Sequence, residues 1–142
     1  MTEAQLNETI LQAWKSGWEL LHPPAGDFVY WTQENDYGDS REEFVRISIV
    51  PTTRRNASVG AKKRKAQEGY VAVQLFTRTG TGTLRINQLA DDVRTVLENK
   101  HFYAAGDDEP VHLYEGESDP PTGDGAWQMK LIRIGLRADH VS

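Results

Sequence analysis

The chain has 142 residues, 38% of them hydrophobic and 26% charged, with a formal net charge of -5. That is the size of one ordinary domain with a sizeable core, and the composition argues against wholesale disorder. The absence of cysteine excludes disulfide frameworks, thiolate metal sites and cysteine nucleophiles.

Thr2-Glu3-Ala4-Gln5 reads as a capping box, in which hydroxyl and amide each satisfy an orphan backbone N–H. Leu6, Ile10, Ala13, Trp14, Gly17 and Leu21 recur at three- and four-residue spacing, which predicts a helix over about 3–21. Prolines at 23 and 24 end it. Phe28-Val29-Tyr30-Trp31 reads as a short strand and 33–41 as a polar loop. Val45, Ile47 and Ile49 alternate with Arg46 and Ser48, predicting a half-buried strand over 43–50 that Pro51 closes. A second strand covers 70–77, with Val71, Val73 and Leu75 on one side. The pair reads as an antiparallel hairpin with a long polar tip, residues 51–68.

Thr79-Gly80-Thr81-Gly82-Thr83 breaks the second strand, and Thr83 is a candidate cap for a helix over 84–100. Residues 101–103 read as a short edge strand and 111–114 as a strand. Residues 120–125 read as a turn-rich loop within an acidic region, 106–125. The last strand covers 127–136. Its apolar pattern switches from Trp127, Met129 and Leu131 to Ile132, Ile134 and Leu136, which predicts a bulge or a central strand covered on both faces. The expected fold is therefore a single α+β domain, a mixed and mostly antiparallel sheet with two main helices packed on it and a long β-hairpin arm.

No enzyme-like pattern stands out. The glycine-rich turn at Gly80–Thr83 lacks the lysine and spacing of a phosphate loop and reads as a tight turn. His22, His101, His112 and His140 show no helical metal-ligand spacing and read as solvated or edge histidines. The acidic residues do not follow a calcium-loop pattern, and no nucleophile elbow is present. The expectation is a non-enzyme without metal or cofactor. Trp14, Trp18 and Trp127 read as core, and Trp31 as the tryptophan exposed at an interface.

Charge is the most pointed feature. Arg54, Arg55, Lys62, Lys63, Arg64 and Lys65 fall within 51–65 with no acidic residue, which leaves the remainder at -11. Residues 106–124 hold Asp107, Asp108, Glu109, Glu115, Glu117, Asp119 and Asp124 with no Lys or Arg. Opposite patches on one molecule allow copies to dock head to side. Candidate protein-interaction residues are the six basic ones, Trp31, Asp107, Asp108 and Glu109. The alternative is a nucleic-acid-binding module acting through the basic 54–65 segment, although no recognition motif or interleaved aromatic supports sequence-specific binding.

An ordered series of short segments resembles the tail terminator, or tail completion, proteins of long-tailed phages and prophages. The series is Tyr30-Trp31-Thr32-Gln33-Glu34-Asn35, Phe44–Val50, Ser58-Val59-Gly60, Gly69–Phe76, Thr79-Gly80-Thr81-Gly82 and Leu89-Ala90-Asp91-Asp92. The resemblance spans roughly Thr2–Phe102 and is weak over the acidic stretch. It implies a virion-assembly subunit of a hexameric ring, monomeric before assembly as the alternative. Such a ring caps the head-proximal end of the tail tube, stops polymerisation and meets the head–tail connector protein. The implied partners are other copies, the tube protein and the connector, with no membrane and no specific nucleic acid. The implied location is the host cytoplasm during assembly and then the virion tail. Only Gly60, Gly69, Gly80 and Gly82 carry over by position, as structural residues.

Overall fold

The computed structural model describes residues 2–22, 43–56, 65–80, 82–104, 106 and 110–141. The strand expected at 28–31 and the loop at 33–41 lie outside these. The elements are α1 (Glu3–Leu21), β1 (Glu43–Asn56), β2 (Lys65–Arg78), α2 (Leu84–Leu97), β3 (Lys100–Tyr103), β4 (Pro110–Ser118), β5 (Thr122–Asp124) and β6 (Trp127–Val141). The sheet runs β1-β2-β6-β4-β3, with β5 also paired to β6, and every described pairing is antiparallel. The α+β class expected from the sequence is the class observed.

α1 starts where the capping box predicts. The Gln5 N–H donates to Thr2 Oγ1 at 3.1 Å and the Thr2 N–H donates to Gln5 Oε1 at 2.8 Å. Its buried stripe is Leu6, Ile10, Trp14 and Trp18, the spacing of one helical face. α2 buries Ile86, Leu89, Ala90, Val93, Val96 and Leu97. It ends at Leu97, short of the expected 100, because Asn99 takes a left-handed φ of 55° that turns the chain into β3. Thr83 stands at the α2 N-cap position but its side chain makes no capping hydrogen bond, contrary to expectation; its backbone is already helical, which aims the hydroxyl away from the orphan amides.

Both helices cover one face of the sheet. The inner rows are Val45 and Ile47 on β1, Val71, Val73 and Leu75 on β2, and Ile132, Ile134, Leu136 and Ala138 on β6, all in one cluster with the helices' buried stripes. The β2–β6 ladder keeps its register from Arg78↔Trp127 to Gln67↔Ala138. The switch in the β6 pattern therefore needs no bulge in that strand. Trp127, Met129 and Leu131 lie on the face turned away from the helices, and Ile132 onward are read from the inner row. Trp127 is half-buried there, not in the core formed with Trp14 and Trp18.

Pro51 does not close β1, which continues to Asn56. β1 has a paired neighbour on one side among the described residues, so a missing N–H on its open edge costs no ladder bond. The ladder shifts register between Pro51 and Thr53, a β-bulge. Gly69 sits opposite, where a Cβ would lie 2.3 Å from the Val50 carbonyl oxygen; only a residue without a side chain admits that approach. Gln67 is buried beside the bulge, and its Nε2 donates to Thr53 O at 3.1 Å and to Glu68 O at 2.8 Å. The expected tip at 51–68 is accordingly shorter: 51–56 and 65–68 belong to the paired ladder.

Candidate assembly surface

The basic residues divide between the distal hairpin and positions beyond description. Residues 51–54, including Arg54, are all exposed on β1. Arg55 pairs in register with Ala66, and Lys65 with Asn56, so both backbones belong to the hairpin stem. Lys62, Lys63, Arg64, Trp31, Asp107, Asp108 and Glu109 lie outside the described residues. Of the acidic stretch, Glu115 and Glu117 are exposed on β4, and Asp119 pairs with Arg133 at 3.2 Å. β1 and β3 are the two ends of the strand order. Arg54 stands at one border of the sheet, and Glu115 and Glu117 stand on β4 where it runs past β3, toward the opposite border.

β4 passes Leu113 and shifts register before Gly116. The Gly116 N–H there donates to Glu98 Oε2 at 3.1 Å, which anchors the strand to the end of α2. The strand consequently reaches Ser118 instead of the expected 114, and it carries its two exposed carboxylates along the way.

The outer face of β1, β2 and β6 holds a cluster the sequence reading missed. Phe44 stacks on Phe76 with centroids 4.3 Å apart, and Trp127 meets Phe44 edge-on at 4.9 Å. The Arg78 guanidinium lies 4.0 Å over the Trp127 ring and Arg46 lies 5.6 Å over Phe76, geometries that attract through the ring quadrupole. The signal was present as a second alternation, Phe44/Arg46 and Phe76/Arg78, running opposite to the aliphatic rows. Further across, Arg137 hydrogen-bonds Asp139 at 3.1 Å and approaches Glu68 at 3.7 Å; the Asp139 bond raises the Arg137 pKa above its ordinary value.

Of the histidines expected to be solvated or at an edge, His101 is exposed on the border strand β3, while His22 and His112 are half-buried. His22 stacks on Trp18 at 4.3 Å and its Nε2 lies 2.8 Å from Asp92 Oδ2, tying the end of α1 to α2. His101 and His112 face one another across β3 and β4 with ring centroids 4.6 Å apart. Among the described residues, no group of three or more His, Asp and Glu is placed to hold a metal ion. Thr79, just ahead of the glycine-rich turn, is tied to the turn between β5 and β6. Thr79 N donates to Ala126 O at 2.9 Å and Thr79 Oγ1 to Gly125 O at 3.0 Å, and Gly80 and Gly82 have positive φ, as a tight turn requires.

The remaining feature is a groove between α1 and the β3 edge. Two adjoining hollows of about 430 and 400 Å³ share Ala13, Ser16 and Phe102. Exposed Leu20 and Leu21 flank one end and Tyr103 the other. No helix among the described residues is long and apolar enough to cross a membrane.

No protein-family model matches this sequence, and no curated protein matches it. A solved structure whose name states no activity is similar in fold, with a TM-score of 0.73 over 97% of this chain and 96% of its own, at 16% identity. At that identity the likeness concerns the fold alone.

Proposed function

We propose that this chain is a structural subunit of a ring that caps the head-proximal end of a phage tail tube, stopping tube growth and forming the surface that meets the head connector. The observation that carries this reading is the placement of opposite charges on one sheet, Arg54 exposed on β1 and Glu115 and Glu117 exposed on β4. A ring needs two different patches per subunit, each complementary to the other. The resemblance of 30–35, 44–50, 69–76 and 89–92 to tail terminators supplies the biological setting. The role is architectural, and no reaction is assigned to it.

The test is reconstitution with the tail tube protein, followed by electron microscopy and a tube-length distribution. The expected result is a ring at one tube end and arrested elongation. A chain that leaves tube ends bare and tube length unchanged would refute the reading.

A further inference from the structure

We propose that His101 and His112 form a binding site for a divalent transition-metal ion of the class that takes imidazole ligands, and that the bound ion staples the border strand β3 to β4. The site is independent of the ring reading. Val111 and Leu113 are buried in the inner row, so His112 between them turns to the face away from the helices. His101 is its direct partner across the antiparallel ladder. Directly opposed residues hold their Cβ atoms about 4.5–5.5 Å apart on one face of a sheet. The two rings consequently meet edge-on, with centroids 4.6 Å apart and planes at 77°. A tetrahedral ion at about 2.0–2.1 Å from each ring nitrogen needs those nitrogens roughly 3.3 Å apart. Rings already in contact reach that spacing by side-chain rotation, with the backbone left in place.

The donor set selects the ion. Imidazole nitrogen suits zinc, nickel and copper, whereas magnesium and calcium take oxygen ligands. With no cysteine in the chain, no thiolate competes for such an ion. His101 is exposed and His112 half-buried, so the ion enters from solvent. Among the described residues no third His, Asp or Glu joins the pair, and water fills the remaining positions. Tyr114 stacks beside His112 with centroids 6.3 Å apart, which restricts the ring on that side. Arg137 stands in register with His112 on β6, but its guanidinium is met by two carboxylates, Asp139 at 3.1 Å and Glu68 at 3.7 Å. The neighbouring row therefore does not repel a cation. β3 has four residues, and β4 is its neighbour in the strand order. A chelate across these two strands binds the paired form and so stabilises it.

The test is calorimetric titration of the whole chain with zinc chloride, with magnesium chloride as the comparison. The expected result is a single class of zinc site at equimolar stoichiometry and no binding of magnesium. Removing even an outer partner of a metal ligand costs about 10–100-fold in affinity, so His101→Gln and His112→Gln are each expected to weaken zinc binding at least about tenfold. His101 is exposed, and His101→Gln is expected to keep the metal-free Tm of the wild type, which separates loss of a ligand from loss of the fold. Zinc is also expected to slow amide exchange at residues 100–103 in the wild type and to leave it unchanged in both variants. No binding at millimolar zinc overturns the site. Unweakened binding in either variant does the same, because it assigns the ion to other groups on the surface. Binding that needs both histidines yet leaves exchange at 100–103 unchanged overturns the staple.

Discussion

The two faces of the sheet solve different problems with the same strands. The inner face is aliphatic, its rows sealed by α1 and α2, with Trp14 and Trp18 stacked at 4.7 Å against it. The outer face alternates aromatic and arginine, and its contacts are ring stacking, cation–π pairs and partly exposed ion pairs. Area removed from water dominates the first, at about 25 cal/mol per Å² of apolar surface. Partly exposed ion pairs of the second kind contribute about 1 kcal/mol or less each. Stability is thus concentrated on the inner face. The distal hairpin and the β3 border are free to vary in charge without unfolding the domain, a property an assembly surface requires.

Trp18→Ala attacks the inner face where the loss is largest. The ring is fully buried and contacts both Trp14 and His22. Its removal is expected to cost about 3–5 kcal/mol in urea unfolding; a cost under about 1 kcal/mol would show that α1 is not integral to the core. Gly69→Ala tests the bulge that carries β1 beyond Pro51. Its Cβ would meet the Val50 carbonyl, and the strain is expected to cost about 1–3 kcal/mol. A neutral result would mean that β1 ends at Pro51 after all.

Those two positions also separate what the sequence reveals from what it conceals. The stripe containing Trp18 was legible because a helical face repeats at a fixed spacing. The rows at 45–49 and 71–75 were legible because strands alternate. Pro51 was misread because a proline halts a strand only where its N–H is needed, and whether a strand lies at an edge is a property of the assembled sheet. Trp127 was misread for a similar reason: hydrophobicity says that a ring is sheltered, but not which face shelters it. His101 and His112 are eleven positions apart, and the antiparallel return of β3 onto β4 brings them together. The groove arises from the way α1 lies over β3, which no local pattern encodes. Charge composition marked the basic segment, whereas exposed Leu20 falls outside the helical stripe and carried no signal of its own.

A smaller effect of opposite sign is expected at Thr77. It is 1% exposed, and its hydroxyl has no hydrogen-bond partner among the described residues. Burying such a group unpaired is costly, and an isosteric apolar replacement removes the cost. Thr77→Val is expected to stabilise by about 0.5–1 kcal/mol, read as a higher urea midpoint at unchanged slope. A loss of stability would indicate that the hydroxyl is bonded in solution and that this end of the inner face is wetter than its burial suggests.

The comparison is sharpest where stability should not respond at all. Arg54 is exposed on the distal part of β1, so Arg54→Glu is expected to change unfolding free energy by less than about 0.5 kcal/mol. If copies dock through opposite charges, as proposed above, the same substitution replaces the cation that would meet a neighbour's carboxylates with a like charge. Self-association should therefore weaken, and the weakening should be greatest at low ionic strength, where screening is least. Sedimentation at two salt concentrations, with Thr52→Glu adding a negative charge on the same exposed run, distinguishes electrostatic docking from loss of one contact. If the two variants weaken association at low salt and approach wild type at high salt, the hairpin acts through its charge. Equal weakening at both salts would assign its role to shape, and the contrast between a stabilising inner face and a charged assembly border would have to be redrawn around shape alone.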